Sequence, residues 1–299
     1  MKIVIAGGTG FIGEILTRYL LDKGHHIVIL TRNPKQAKGN ISYVKWLTAD
    51  SNPQLELEGA DVFINLAGVS INAGRWTKQH QQQIYESRMK STDELLSIIA
   101  TLHVKPSVFI NASAIGIYPA SDKVEYTETN HEVANDFLGK TVKDWEEKAG
   151  RVAADGIRCV FMRFGVVLGR EGGALPLMVL PYKLFVGGRV GTGKQWVSWV
   201  HVLDVVRAII FVIESQRVRG PVNITAPSPV TMDEFGRTIG EVIHRPHWLP
   251  VPDFAMKFVL GQKSALVLEG QKVIPEILEN SGFVFTFPTL KSALEDLLK

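Results

Sequence analysis

Residues 2–13 read Lys2-Ile3-Val4-Ile5-Ala6-Gly7-Gly8-Thr9-Gly10-Phe11-Ile12-Gly13, and this stretch decides the fold. A short apolar run breaks into a glycine-rich turn. Beyond it, Ile12, Ile15, Leu16, Tyr19 and Leu20 recur at the spacing of one helix face. Gly24 stands where a helix-terminating glycine belongs. Strand, glycine turn and helix in this order are the context of a dinucleotide-binding turn. Gly7 permits the tight turn, Gly10 lets backbone approach a pyrophosphate, and Gly13 allows helix to pack closely on strand. Thr9, Phe11 and Ile12 complete the turn, whose free N–H groups and positive helix end favour phosphate.

Outward from the turn, strand and helix signals alternate. Residues 27–30, 62–66, 108–110 and 158–164 are apolar runs of strand length. Residues 84–102 and 139–154 carry helical periodicity. Buried strands separated by helices imply an α/β fold, a Rossmann-type doubly wound parallel sheet covered on both faces. The chain divides into a nucleotide-binding domain over residues 1–165, to which 201–225 return, and a smaller C-terminal substrate lobe made of 166–200 and 226–299. Thr31-Arg32 ends the second strand, where an acidic residue would bind the ribose 2′-OH of NAD. A guanidinium there suits a 2′-phosphate instead, so NADP is favoured over NAD.

Composition sets the outer limits. The 299 residues are 45% hydrophobic and 21% charged, which suits a globular chain with a sizeable core and excludes intrinsic disorder. Cys159 is the single cysteine, so a disulfide scaffold is excluded. A net charge of +3 with scattered Lys and Arg gives no reason to expect nucleic acid or a membrane as partner. No secretory leader or long apolar span is evident, which points to the cytoplasm. Nothing in the sequence fixes the oligomeric state.

The spacing of Gly7, Gly10 and Gly13 resembles the extended short-chain dehydrogenase/reductase superfamily. So do Asn65-Leu66-Ala67-Gly68, a turn that lies along the cofactor in that superfamily, and Ser198-Trp199-Val200-His201-Val202-Leu203-Asp204-Val205, its "HVxDV" segment. More specifically the chain is similar to an atypical branch known as epimerase family proteins. That branch shares Arg75-Trp76, residues 113–118, Gly172-Gly173-Ala174-Leu175-Pro176, and a tail with Gly282-Phe283 and Phe287-Pro288-Thr289-Leu290. The resemblance spans nearly the whole chain. It implies the Rossmann-type sheet, NADP, cofactor contacts from Leu66, Ala67 and Gly68, and a lobe over the substrate cleft. Superfamily catalysis uses a tyrosine with a lysine four residues on, the lysine lowering the phenol's pKa. Residues 137–143 should carry that pair and contain no tyrosine, although Lys140 and Lys143 remain. Arg88 stands where the superfamily often has an asparagine.

The substrate side offers candidates with open alternatives. Ser113, past the strand 108–110, either bonds a substrate carbonyl or satisfies a turn, and Ala114 competes for the superfamily's serine position. Tyr118 is either a proton donor or a packed phenol. Arg75 and Trp76 either clamp an anion or order a loop. Trp199 and His201 either meet substrate or brace the lobe. Residues 188–195 nearly spell a phosphate-binding loop, but Gln195 stands where Mg²⁺ needs Ser or Thr. His244 and His247 lack further ligands, so no metal is expected. The reading is an NADP-dependent oxidoreductase or epimerase acting on a small hydroxyl or carbonyl compound. The alternative is a catalytically inactive NADPH-binding module that reports redox state to a protein partner.

Overall fold

A computed structural model describes residues 1–299. The first half alternates β1 (Lys2–Ala6), α1 (Phe11–Asp22), β2 (His26–Thr31), β3 (Ile41–Lys45), α2 (Gln54–Leu57), β4 (Val62–Asn65), α3 (Lys78–Thr101) and β5 (Val108–Ala114). It continues through β6 (Glu125–Tyr126), α4 (Phe137–Gly150), β7 (Arg158–Phe164) and β8 (Val166–Leu168). The second half comprises α5 (Leu175–Lys183), β9 (Trp196–Val197), β10 (Trp199–His201), α6 (Val202–Glu214) and β11 (Gly220–Ile224). Then come β12 (Val230–Thr231), α7 (Met232–Ile243), α8 (Asp253–Leu260), α9 (Ala265–Leu268), β13 (Lys272–Val273), α10 (Glu276–Asn280) and α11 (Leu290–Leu298).

Seven strands form one sheet in the order β11-β7-β5-β4-β1-β2-β3, and every pairing in it is parallel. Its apolar residues divide by face. Ile3, Ile5, Ile27, Ile64, Ile110 and Met162 pack against α1 and α6, whereas Val4, Val28, Phe63 and Phe109 pack against α3 and the end of α4. Both faces are therefore dry, as continuous apolar strands require. The strand order reverses beside β1, so β1 and β4 flank the crevice in which ligands of open α/β sheets bind.

α3 begins six residues earlier than its apolar periodicity predicts, at Lys78 rather than residue 84. Its first turns read Lys-Gln-His-Gln-Gln-Gln and carry no apolar face to detect. The start is fixed by Thr77, whose hydroxyl accepts from the His80 N–H at 3.1 Å.

The second lobe has its own core, in which Leu175, Tyr182, Trp199, Phe235, Leu290 and Leu294 meet. The C-terminal segment does not all belong to it. Leu278 and Phe283 pack instead into the sheet core with Val205 and Ile209, because α10 lies along β11. Residues 226–299, read from sequence as part of the lobe, thus contribute side chains to both cores. No helix is long and apolar enough to cross a membrane.

Candidate active site

The crevice opens at the carboxyl ends of β1, β2, β4 and β5. In the glycine turn the three glycines have different reasons to be glycine. Gly7 has φ +82°, and a Cβ on it would lie 2.7 Å from the Leu66 carbonyl group. A Cβ on Gly13 would stand 2.3 Å from the Gly7 oxygen. Both are demanded by the fold. A Cβ on Gly10 would meet only the Gly7 oxygen, at 3.3 Å, and is otherwise unopposed. Gly10 caps α1 without a side-chain hydrogen bond. The N–H groups of Phe11, Ile12 and Gly13 find no acceptor within the protein. Three unsatisfied donors at a helix N-terminus, above a residue with no side chain, form an anion cradle.

Thr31 and Arg32 lie at the end of β2. The Thr31 hydroxyl bonds within its own turn, to the backbone of Asn33. Arg32 is exposed and makes no ion pair or hydrogen bond to the protein. Leu66, Ala67 and Gly68 follow β4 and line the opposite wall. Asn65 holds this wall: its Oδ1 accepts from the Ala67 N–H at 3.2 Å, while its Nδ2 donates to Asn111 (2.7 Å) and Thr92 (3.1 Å).

Phe11 couples the turn to the second lobe. Cβ atoms on Gly169 and Gly172 would each fall 2.3 Å from its ring. Gly169 and Gly172 thus give that ring room, and the lobe rests directly on the glycine turn.

The substrate-side candidates are placed less simply. Ser113 and Arg163 are register partners on β5 and β7 and point to the α4 face. The Ser113 hydroxyl donates to Glu146 Oε1 at 2.5 Å. Arg163 donates to both Glu146 oxygens, at 2.8 and 2.7 Å, and to the Tyr118 hydroxyl at 2.8 Å. The Tyr118 hydroxyl lies within reach of Asn223 Oδ1 (2.9 Å) and the Thr127 carbonyl (3.1 Å). Tyr118 is fully buried, and burial raises its pKa above the usual phenol value. Ser113 and Tyr118 are thus joined in one buried network, with no hydroxyl left over for the crevice. Ala114, partly exposed, is the β5 residue that faces out at the strand end.

Of the two readings open for Trp199 and His201, meeting substrate or bracing the lobe, their packing is that of bracing residues. Trp199 sits in the lobe core, its indole N–H on the Ser228 carbonyl at 3.0 Å. His201 caps α6: its Nδ1 accepts from the Leu203 N–H at 3.1 Å, and its Nε2 meets Asp296 at 3.2 Å. Its ring stacks on Phe287, centroids 3.9 Å apart. Asp204 accepts from the Thr286 and Phe287 N–H groups, both at 2.8 Å. The "HVxDV" segment thereby fastens the C-terminal tail. Arg75 is exposed. Trp76 is buried, with its indole N–H on the Ile71 carbonyl at 2.9 Å and its ring edge-on to Phe137.

The superfamily's tyrosine is absent from α4, and Lys143 lies on the surface near Glu147, 3.7 Å away. Lys140 lines an open cleft between α3 and α4 with Lys78, Gln81, Tyr85 and Phe137. No residue of the glycine turn or of the wall after β4 borders that cleft. Glu146 and Arg163 were missed by sequence reasoning. The available signal was Arg163, a charge inside the apolar run 159–164, which demands a partner.

The chain belongs to the NAD dependent epimerase/dehydratase family, whose model matches residues 3–225. A domain of unknown function, DUF1731, matches residues 251–297. The epimerase family protein YfhF of Bacillus subtilis is 47% identical over 299 residues, covering 100% of this chain and 98% of its own. The human epimerase family protein SDR39U1, solved with NADPH, is 32% identical with a TM-score of 0.89 and 99% of each chain covered. A nucleoside-diphosphate sugar epimerase from Corynebacterium glutamicum is 28% identical with a TM-score of 0.78; the match covers 99% of this chain and 58% of that one.

Proposed function

We propose that this protein is an NADP-dependent oxidoreductase or epimerase acting on a small hydroxyl or carbonyl compound. The anion cradle carries the reading: Gly10 leaves space that no protein atom fills, and three N–H groups above it have no acceptor. Those donors would hold the pyrophosphate, and the unpaired Arg32 guanidinium would take the 2′-phosphate. The human relative solved with NADPH supports the same choice. When bound, the nicotinamide supplies a hydride acceptor or donor at the strand ends. The wall of Leu66, Ala67 and Gly68 would orient it beside the substrate. Epimerisation would be the same hydride abstraction followed by return to the other face.

A second reading has its own observation. Ser113 and Tyr118 spend their hydroxyls inside a buried network and α4 holds no tyrosine, which also suits an inactive NADPH-binding module reporting redox state to a partner. One experiment separates the two. NADPH affinity is measured by fluorescence titration, and the bound cofactor is then offered a panel of small aldehydes, ketones and sugars. Oxidation by any member supports the enzyme. Tight binding with no turnover favours the module, and absence of NADPH binding defeats both.

A further inference from the structure

Arg88 is a cation without an anion. It projects from α3 against the loop after β4, so that a Cβ on Gly68 would lie 3.3 Å from its Cζ. On its other side is the Trp145 ring, whose centroid is 5.1 Å from Cζ. Nη1 donates to the Val69 and Ile84 carbonyls, at 3.1 and 3.0 Å. Nε and Nη2 have no acceptor in the protein, yet neither is sealed from solvent. No carboxylate pairs with the group. Burial alone pulls its pKa down to about 10. Even partly shielding a guanidinium from water without a counter-charge is costly. As a staple between α3 and the loop, the side chain would need only the nitrogen already used.

The surroundings are those of a ligand site. Trp145 packs with Met89 and Ala112, and Leu66, Tyr85 and Phe164 lie against them. Leu66 belongs to the proposed cofactor wall and Phe164 ends β7. An apolar floor at the strand ends with one forked donor at its rim suits a small organic anion.

We infer that Arg88 is the anion-binding residue of the substrate subsite, its free edge taking a carboxylate or phosphate oxyanion of the substrate. This rests on the reading of the crevice as a nicotinamide-dependent site and narrows its substrates to acids or phosphate esters. Gly68 would leave room for the guanidinium, and Trp145 would hold its plane.

The test uses the full chain loaded with NADPH, so that the glycine turn is filled. Sodium acetate and, separately, inorganic phosphate are titrated at constant ionic strength with chloride. Tryptophan fluorescence and melting temperature are the readouts. Wild type should respond saturably to at least one anion, acetate marking a carboxylate substrate and phosphate a phosphate ester. Arg88→Lys keeps the positive charge but lacks the fork. It should need roughly tenfold more anion, with its melting point in chloride and its NADPH affinity nearly unchanged. A response that does not saturate, or that Arg88→Lys reproduces, overturns the assignment. So does a parallel loss of NADPH affinity in that variant, because the guanidinium would then serve the cofactor. Should wild type fail to bind NADPH, the functional reading falls. The same comparison of wild type with Arg88→Lys on the free chain still decides this inference.

Discussion

The ring of Phe11 fills the space that a side chain on Gly172 would need, with only 2.3 Å between Phe11 Cδ2 and a Cβ built there. Gly172 does not have a positive φ, so contact and not backbone strain decides what the position tolerates. Gly172→Ala should destabilise the fold by about 1–3 kcal/mol, the usual penalty of overpacking. Adding Phe11→Ala should recover part of that loss, because the two residues share one space. Thermal melts of both single variants and the double would show it, and strict additivity would contradict the contact.

Gly10 and Gly13 should separate function from fold. Gly10→Val should abolish NADPH binding with little change in melting temperature, since only the Gly7 oxygen opposes its Cβ. Gly13→Ala should instead lower stability, because its Cβ would overlap the turn itself. Titration and circular dichroism on both variants test the contrast. Retained NADPH binding in Gly10→Val would make the turn a purely structural device.

Arg32 should set cofactor preference. NADPH should bind more tightly than NADH, and Arg32→Ala should erase about 1–3 kcal/mol of that difference, the range for a hydrogen bond to a charged group. NADH affinity should barely change. Equal affinities of the two cofactors in the wild type would rule the assignment out.

The Ser113–Glu146–Arg163–Tyr118 network should behave as structure. Arg163 and Glu146 are both almost fully buried. Glu146→Ala leaves a buried guanidinium unpaired and should cost about 3–5 kcal/mol. Tyr118→Phe removes an acceptor of Arg163 and should cost about 1–3 kcal/mol. NADPH affinity of the folded variants should stay within about threefold, corresponding to less than about 0.7 kcal/mol. Denaturant melts give the first quantity and titration the second. A Tyr118→Phe variant with wild-type stability would free that phenol for chemistry.

His201 should make stability fall on acidification. Burial lowers its pKa below 6.5. Its Nδ1 accepts from the Leu203 N–H and so has no room for a proton. The unfolded chain therefore binds a proton near pH 6.5 that the native state binds only at lower pH. Stability from this group is present above pH 6.5 and is lost as pH falls below it, towards the folded pKa. His201→Asn keeps a capping oxygen and should flatten the melting-temperature profile between pH 7.5 and 5.5, roughly the window in which histidine titrates. An unchanged slope would exclude His201 as its source.

Local order was legible because local rules produce it. The run 2–6, the glycine turn and the spacing of Ile12, Ile15 and Leu16 fix a strand, a turn and a helix through neighbours only. The parallel sheet follows from repeating that pattern. The anion cradle was legible too, since its donors belong to consecutive residues. The separate duties of Gly7, Gly10 and Gly13 were legible as well. What residues 7–13 could not reveal is the partner that crowds Gly7, the Leu66 carbonyl group, brought close by the β1–β4 pairing.

The substrate side depended on tertiary structure throughout. Ser113 and Tyr118 have the right chemistry and sit near the right strand end, but β5–β7 register turns Ser113 toward Glu146, and Arg163 claims the phenol. Trp199 and His201 are drawn inward by Ser228, Phe287 and Asp296, residues 29 to 95 positions away. Arg88 is a single letter in a polar helix. Only the approach of Gly68 on one side and Trp145 on the other shows it to be held half-buried between them and unmatched in charge. Partners far apart in the chain decide whether a polar group is spent or free, and their meeting is a property of the fold.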